Sequence, residues 1–440
     1  MFKYLPLTED NLQAMLAVIR VRHIDDLLSD VPSSIRLKQP YQLLPRLSES
    51  QIRKHLKASQ GKVLQSFRGF GVYEHERPAI IDALSSRQEF LTSYTPYQPE
   101  VAQGTLQYIF EWQSMITQLT GMDVSNASMY DGPTALSEAM VMAVAVTNIK
   151  RVIVASPLLP QVNEVIKTYA KHRGIQIEIL GPKDGLIDRQ ALTKAMETPF
   201  AGVIFSYPNR FGLIEYYADL APLIKAKKAL VISYNDPFAL ARLKTPRSLG
   251  ADIVCGEAQS LGLNPNFGGP FIGYLTTLNE WVRKMPGRIC GYTKDNRGQR
   301  GFVLTLQTRE QHIRREKANS NICSNQSLLA LQATIYMSAL GKQGMVKAFD
   351  QACQVTRYLV DQLLATGLFT LSYAAPYAYE TTLTSKIDVF KLEKALLKKD
   401  ILFGYPLSNQ QVVIYGSDTK TKADIDVLVQ AIKEVQHDLH

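Results

Sequence analysis

Short apolar runs alternate with amphipathic segments through the middle of the chain. The runs 152–155, 202–207 and 229–234 are rich in apolar and β-branched residues, which is typical of strands buried on both faces. The segments between them follow the helical period. This order predicts an α/β protein with a mostly parallel sheet. Because ligands of such sheets bind beyond the carboxyl ends of the strands, we expect a site near loops 207–210 and 234–237.

The two ends of the chain have different patterns. Residues 1–65 combine short helices, which begin after Thr8 and Ser48, with a proline-rich stretch. We expect them to form an arm that packs on the same chain or on a partner. Residues 66–330 are predicted to form the large α/β domain. Residues 331–440, with long helices and a late strand, predict a small α+β domain.

Composition and charge narrow the possible classes of protein. The 440 residues are 46% hydrophobic and 20% charged, which is ordinary for a globular protein of more than one domain. The formal net charge of +9 favours anionic partners, but no basic block interleaved with aromatic residues points to nucleic acid. We see neither a signal peptide nor a membrane-length apolar run, so we expect a cytoplasmic protein without a membrane partner. No metal site is expected, because the four cysteines are too scattered: Cys255, Cys290, Cys323 and Cys353.

A polar loop with two prolines precedes an amphipathic segment. Pro96 and Pro99 each fix a backbone angle and push the preceding residue toward an extended conformation. The loop therefore predicts neither a helix nor a central strand. Its candidate site residues are Tyr94, Tyr97, Gln98 and Glu100.

A turn that opens a helix follows. The residues Asp131-Gly132-Pro133-Thr134 stand before a helical pattern, so free N–H groups and a positive helix end point at whatever lies in front of them. This arrangement suits a phosphate. Proline-containing loops and helix-opening turns are both common, and either one alone is more often structural than functional.

Together, the two segments resemble the P-protein of the glycine cleavage system, a glycine decarboxylase that uses pyridoxal phosphate (PLP). The run 94–100, followed by Gln103-Gly104, is highly specific to that family. The Met-Pro-Gly-Arg box at 285–288 and the basic segment 308–318 also occur in it. The resemblance covers nearly the whole chain. It implies a fold-type I PLP-dependent transferase-like fold with an N-terminal arm, a large domain and a small C-terminal domain.

Enzymes of that fold share a phosphate-binding turn, a carboxylate that contacts the pyridine nitrogen, and a lysine that forms the Schiff base. The resemblance assigns Asp131, Gly132 and Thr134 to the first part and Asp236 to the second. Whether these residues still bind the cofactor or are vestigial stays open.

The Schiff-base lysine is missing. No lysine occurs from Thr245 to Arg283, and alignment of the glycine-rich box Gly268-Gly269 puts Gln259 or Ser260 in its place. An amide or a hydroxyl cannot form an imine, so we expect no catalytic residue on this chain. The resemblance therefore implies that PLP sits on a partner and is not held covalently here.

A split form of the family has this property, since its first chain lacks the lysine. The resemblance implies a heteromeric glycine dehydrogenase (aminomethyl-transferring), in which this chain pairs with a PLP-bearing second (beta) subunit. Together they would decarboxylate glycine and pass the aminomethyl group to the lipoyl arm of H-protein. The Tyr94–Glu100 side chains are expected to line the shared active site, and Arg314, Arg315 and Lys317 are further candidates.

Two other functions stay open. A self-sufficient fold-type I PLP lyase or aminotransferase would need another lysine, and Lys244 and Lys284 flank the gap. A non-catalytic scaffold would only stabilise the second subunit. Taken alone, the segment 308–318 is typical of a solvated helical face with i,i+4 ion pairs, and His75 is typical of a surface histidine.

Overall fold

The computed structural model describes residues 8–37, 39, 41–43, 45–318, 320–322 and 325–436. The chain divides into two compact units, Met1–Lys62 and Val63–His440. Cys255, Cys290 and Cys353 are buried free thiols, whereas Cys323 lies outside the described residues.

The first unit contains short helices whose starts follow from local chemistry. Its helices are Glu9–Ile19, the 3₁₀ helix Ile24–Leu28 and Glu49–Ala58. The hydroxyls of Thr8 and Ser48 each accept a hydrogen bond from the first turn of the helix that follows, at 3.2 and 3.3 Å. Both predicted helix starts are confirmed. Many large apolar side chains of this unit are exposed, among them Val18, Ile35, Leu37, Tyr41, Leu43 and Leu56.

A seven-stranded sheet forms the centre of the described part of the second unit. Its strands, in spatial order, are Val124–Ser125, Gly273–Thr277, Ile253–Glu257, Leu230–Asn235, Gly202–Tyr207, Arg151–Val154 and Gln176–Ile179. The strands from Ile253–Glu257 to Gln176–Ile179 are parallel, and Gly273–Thr277 pairs antiparallel with both of its neighbours. The predicted mostly parallel sheet is therefore confirmed.

Helices pack on this sheet and on the C-terminal strands. Those of the second unit are Ile80–Ser85, Gln88–Leu91, Gln103–Thr120, Gly132–Thr147, Pro160–Arg173, Arg189–Ala195, Ala221–Ala226, Gln311–Arg314, Ser327–Ala365, Val389–Leu397 and Lys422–Val435. Pro160 occupies the first position of its helix, and Gly174 ends that helix with a φ of +63°. No helix in the described part of the chain has the length and apolar character needed to cross a bilayer.

The longest helix has a break in its middle. The pattern predicts separate helices over 327–340 and 345–366, and the structure has a single element, Ser327–Ala365, interrupted at Gly341. The backbone of Gly341 is non-helical, with φ 59° and ψ 179°. Glycine adopts that conformation without the steric cost of a side chain, so the two predicted helices meet there.

A four-stranded antiparallel sheet lies near the C-terminus. Its spatial order is Phe369–Leu371, Glu380–Ser385, Gln411–Tyr415 and Tyr405–Ser408. The predicted strand 411–415 is confirmed, whereas strands 380–385 and 405–408 were not predicted. A parallel pair, Gln65–Ser66 with Ile401–Leu402, joins the start of the second unit to this region. The division of residues 66–440 into a large and a small domain stays a prediction.

The polar region before the long helix differs from the expectation. Residues Ile289–Lys294 and Arg300–Thr305 form an antiparallel hairpin that the sequence did not predict. The predicted solvated helix over 308–318 is wrong. The structure has separate short turns there, including Gln311–Arg314, and the φ of Arg315 is +53°.

The loop after strand Gly202–Tyr207 packs closely on the C-terminal sheet. Leu213 pairs with Tyr377 in an isolated bridge. Gly212 has a φ of +80°, and a Cβ added there would lie 2.0 Å from the carbonyl oxygen of Glu380. This position therefore requires glycine both for its backbone conformation and for the close approach of another chain segment.

Replacing this glycine tests that packing. Gly212→Ala should lower the free energy of unfolding through left-handed backbone strain of about 1–2 kcal/mol and overpacking of about 1–3 kcal/mol. Gly298→Ala is the matched control, because its φ is +77° and no atom lies within 4 Å of the added Cβ. Urea unfolding of both variants measures the difference. Equal losses of stability would contradict the close approach at Gly212.

Candidate functional site

A cleft opens at the carboxyl ends of three neighbouring parallel strands, Gly202–Tyr207, Leu230–Asn235 and Ile253–Glu257. It encloses about 640 Å³ of space continuous with solvent. Both loops expected to matter, 207–210 and 234–237, contribute to its lining.

Asp236 lies at the base of this cleft and is held by hydroxyl groups. Its Oδ1 accepts hydrogen bonds from the Ser260 hydroxyl and from the backbone N–H of Phe238, and its Oδ2 accepts one from the Tyr379 hydroxyl. Burial raises the pKa of this carboxyl group above its usual range, and the hydrogen bonds from Ser260 and Tyr379 oppose the rise. Both carboxylate oxygens of Asp236 therefore already have partners within the chain.

The two residues aligned with the missing lysine, Gln259 and Ser260, have different partners in the structure. The Gln259 side chain is buried and bonds to backbone: its Oε1 accepts from Tyr73 N–H at 2.8 Å, and its Nε2 donates to the carbonyls of Tyr73 and Leu263. Ser260 instead donates to Asp236. Ser260 is therefore the residue in direct contact with the predicted pyridine-nitrogen carboxylate.

The predicted phosphate turn opens the helix Gly132–Thr147, which we call the Gly132 helix. Asp131 caps it, since its Oδ1 accepts from Thr134 N–H at 2.7 Å. The N–H of Gly132 donates to Glu257 Oε2 at 2.8 Å. Asp131, Gly132 and Thr134 do not line the cleft themselves, but Glu257 does.

Glu257 is a site residue that the sequence analysis missed. Its Oε1 accepts from the N–H groups of Gln259 and Ile272, at 3.2 and 3.1 Å. Burial raises the pKa of Glu257 to about 8, although the hydrogen bond from Gly132 opposes this. An acidic residue directly at the end of a buried strand is the signal that could have found it.

Another buried carboxyl group, that of Glu380, holds the segment that contains Phe70, Gly71 and Tyr73. Glu380 accepts from the backbone N–H of Phe70 through Oε1 and from the Tyr73 hydroxyl at 3.0 Å through Oε2. Burial raises the pKa of Glu380 to about 8. Gly71 and Tyr73 line the cleft as a result.

The 94–100 loop lies on the Met-Pro-Gly-Arg box and does not line the cleft. Arg288 donates to the Tyr97 hydroxyl at 3.3 Å, and its guanidinium lies 5.0 Å from the centre of that ring. Arg288 also pairs with Glu310 at 3.3 Å, and both side chains are nearly fully buried. The four candidate side chains of the loop are exposed: Tyr94, Tyr97, Gln98 and Glu100.

The basic segment contains cations in two different environments. Arg309 is buried and donates to backbone carbonyls of Met285, Gly287 and Leu306. The predicted candidates are instead exposed: Arg314, Arg315 and Lys317. Among the described residues of this segment, Glu310 pairs with Arg288 and His312 and not with a cation four positions away.

His75 is not a surface histidine, so that expectation is wrong. Its side chain is 1% exposed, and its Nδ1 lies 2.9 Å from Asp418 Oδ1. Its ring centre lies 3.8 Å from that of Phe238. Apolar packing and an acidic partner far along the chain account for the burial, and neither is visible in the local sequence.

Comparison with known proteins decides the family. A family model described as the glycine cleavage system P-protein matches residues 2–432. The chain belongs to the glycine cleavage system P-protein family. Relatives from Bacillus cereus and Bacillus thuringiensis, each named "Probable glycine dehydrogenase (decarboxylating) subunit 1", are 44% identical to it and align over 99% of this chain and of their own length.

Solved structures agree with this family and with the predicted fold. An inhibitor-bound glycine decarboxylase (P-protein) of the glycine cleavage system is 34% identical, with a TM-score of 0.88 over 99% of this chain and 100% of that one. A glutamate decarboxylase from Lactobacillus brevis, at 13% identity and a TM-score of 0.69, covers 93% and 97% and supports the fold alone. The predicted family and the fold-type I PLP-dependent fold are confirmed.

The buried carboxyl groups predict how stability depends on pH. Burial raises the pKa of Glu257 and Glu380 from 4.5 to about 8 in the folded chain. The folded state therefore binds more protons than the unfolded state between these values. The stability present below the unfolded pKa is lost as pH rises through the folded pKa, so the free energy of unfolding should fall from about pH 5 to about pH 8.

Urea unfolding across this pH range measures the effect. Glu380→Gln mimics the protonated acid and should weaken the pH dependence, whereas Glu197→Gln, at an exposed position, should leave it unchanged. The same pH dependence in Glu380→Gln as in the wild-type chain would remove Glu380 as a source.

Proposed function

We propose that this chain is the lysine-lacking subunit of a two-chain glycine decarboxylase of the glycine cleavage system, and that the second subunit carries PLP. The observation that carries the proposal is Ser260. Its hydroxyl contacts Asp236, it is one of the two residues aligned with the Schiff-base lysine, and neither its hydroxyl nor the amide of the other, Gln259, can form an imine. The name of the Bacillus relatives, which describes a subunit 1, supports a second chain.

The positions of the flanking lysines argue against a self-sufficient PLP enzyme. Lys244 lies over the ring of Tyr216, 5.6 Å from its centre, and Lys284 lines a separate small cavity with Glu138. Of the described residues that line the cleft, none is a lysine. This favours a cofactor on a partner over a Schiff base formed on this chain.

The proposed complex decarboxylates glycine and transfers the aminomethyl group to the lipoyl arm of H-protein. PLP on the partner supplies the electron sink for decarboxylation. This chain would position the substrate and the lipoyl arm and exclude water, effects that are large when the geometry is correct.

The 94–100 loop is the best candidate for this role on this chain. Its exposed Tyr97 rests on the buried pair Arg288–Glu310 and is therefore oriented before any partner binds. Exposed aromatic side chains on a fixed base suit an interface. The exposed cations Arg314, Arg315 and Lys317 are candidates for contact with an acidic carrier such as H-protein.

The first unit also supports a heteromer. Its exposed apolar side chains include Ile35, Leu37 and Leu43, whose relative exposures are 73%, 66% and 81%. Large exposed apolar side chains grouped in one segment are typical of an interaction surface. An arm that covers part of the second subunit explains this composition.

Reconstitution tests the assignment of the subunits. Glycine-dependent CO2 exchange should require both chains, and borohydride reduction followed by peptide mapping should place the reduced pyridoxyl group on a lysine of the partner. Exchange by this chain alone, or a pyridoxyl-lysine within it at a stoichiometry of about one, would overturn the proposal.

Substitutions in the loop separate an active-site role from a scaffold role. In the reconstituted complex, Tyr97→Phe, Gln98→Ala and Glu100→Ala should each lower glycine–CO2 exchange about tenfold, a loss of about 1.4 kcal/mol in transition-state stabilisation. Tyr216→Phe is the control, because Tyr216 is also exposed and contacts a cation but lies outside the loop. Full exchange in all three loop variants would leave this chain as a scaffold.

A further inference from the structure

The start of the Gly132 helix is where an enzyme of this fold would bind the cofactor phosphate, and in this chain its amide groups are already engaged. Pro133 has no N–H to offer. The remaining first-turn amides donate as follows: Gly132 to Glu257 Oε2 at 2.8 Å, Thr134 to the Asp131 carboxylate at 2.7 Å, and Ala135 to the Asp131 carbonyl at 3.0 Å. A phosphate would find no free amide in this turn.

The space in front of Gly132 is also filled. A Cβ added to Gly132 would lie 2.5 Å from the Tyr234 hydroxyl and 2.8 Å from the Cβ of Glu257. A phosphate is much larger than a methyl group. It could enter only if the Glu257 side chain moved out.

Moving Glu257 would break more than one contact. Its Oε1 accepts from the N–H groups of Gln259 and Ile272, and Glu257 is the last residue of the strand Ile253–Glu257. A displaced carboxylate would leave these donors without their acceptor in the protein interior, which is unfavourable. The acid is therefore part of the fold and does not act as a mobile gate.

The residues predicted for the other two cofactor contacts, with the pyridine nitrogen and with the aldehyde carbon, do not fit the cofactor either. Asp236 accepts hydrogen bonds from Ser260 and Tyr379, so both of its oxygens are satisfied without a pyridine ring. Gln259 and Ser260, the two residues aligned with the missing lysine, offer no amine. The residues of the three positions thus bond to each other and do not fit the cofactor.

We infer that the Glu257 carboxylate takes the place of the cofactor phosphate at the start of the Gly132 helix, so that this chain binds no pyridoxal phosphate derivative even without a covalent bond. The oxygen acceptor that the helix start requires is supplied from within the chain by Glu257 Oε2. The inference concerns this chain alone and does not depend on which residues line the active site of the partner.

Pyridoxamine 5′-phosphate tests this inference, because it carries the ring and the phosphate but no aldehyde that could react with surface lysines. Calorimetric titration of the full-length wild-type chain should show no saturable binding. Glu257→Ser removes the side chain that occupies the site and should bind this probe at least about tenfold more tightly than the wild-type chain. Unphosphorylated pyridoxamine should show no such gain.

Glu215→Ser is the matched control. Glu215 is also a buried carboxylate that accepts a backbone N–H, from Ile187 at 2.8 Å, but it does not face the Gly132 helix. This variant should not gain binding. If Glu257→Ser does not fold, Glu257→Gln replaces it, since the neutral amide keeps the shape and should give a smaller gain of a few-fold.

Two results would overturn the inference. One is saturable binding of pyridoxamine 5′-phosphate by the wild-type chain that inorganic phosphate displaces. The other is a folded Glu257 variant that binds the probe no better than the wild-type chain. Neither result bears on glycine–CO2 exchange by the two-chain complex, so a failure here is distinguishable from a failure of the proposed function.

Discussion

The requirement that a buried carboxylate be hydrogen-bonded organises the centre of this fold. Removing a carboxylate from water is costly unless donors replace the lost solvation. Glu257 meets this requirement through backbone N–H groups, Glu380 through one backbone N–H and the Tyr73 hydroxyl, and Asp236 mainly through hydroxyl groups. The donors come from distant parts of the chain, so each acid ties several segments together. The fold around the cleft is therefore held partly by these carboxyl groups, which line the cleft.

The cleft and the surface to which we assign a function are different parts of the molecule. The cleft lies at the carboxyl ends of the parallel strands, where ligands of such sheets usually bind. Its acids are satisfied internally, whereas the 94–100 loop presents exposed polar and aromatic groups. In the function we propose, contacts within the chain replace contacts to a cofactor, and the exposed loop is the face offered to the partner.

The sequence predicted what local patterns determine and missed what distant pairs determine. The central strands follow from apolar runs such as 202–207, and the capped start of the Gly132 helix follows from Asp131. The absence of the lysine is visible in the sequence alone. In contrast, Gly132 and Glu257 are 125 positions apart, and His75 and Asp418 are 343 apart. Such pairs leave no periodic signal, which is why the burial of His75 was not foreseen.

The ion pair Arg288–Glu310, which lies beneath the 94–100 loop, was also not predicted from the sequence. Its position has a consequence for function. Arg288 and Glu310 are 2% and 4% exposed as side chains, and among the described residues Arg288 Nη1 and Glu310 Oε1 have no hydrogen-bond partner. A buried ion pair with unsatisfied atoms is a poor source of stability. Its geometric effect is to hold the Tyr97 ring through a hydrogen bond and a cation–π contact. A costly pair that orients an exposed side chain is better explained by a surface that must bind in one geometry than by the stability of the fold.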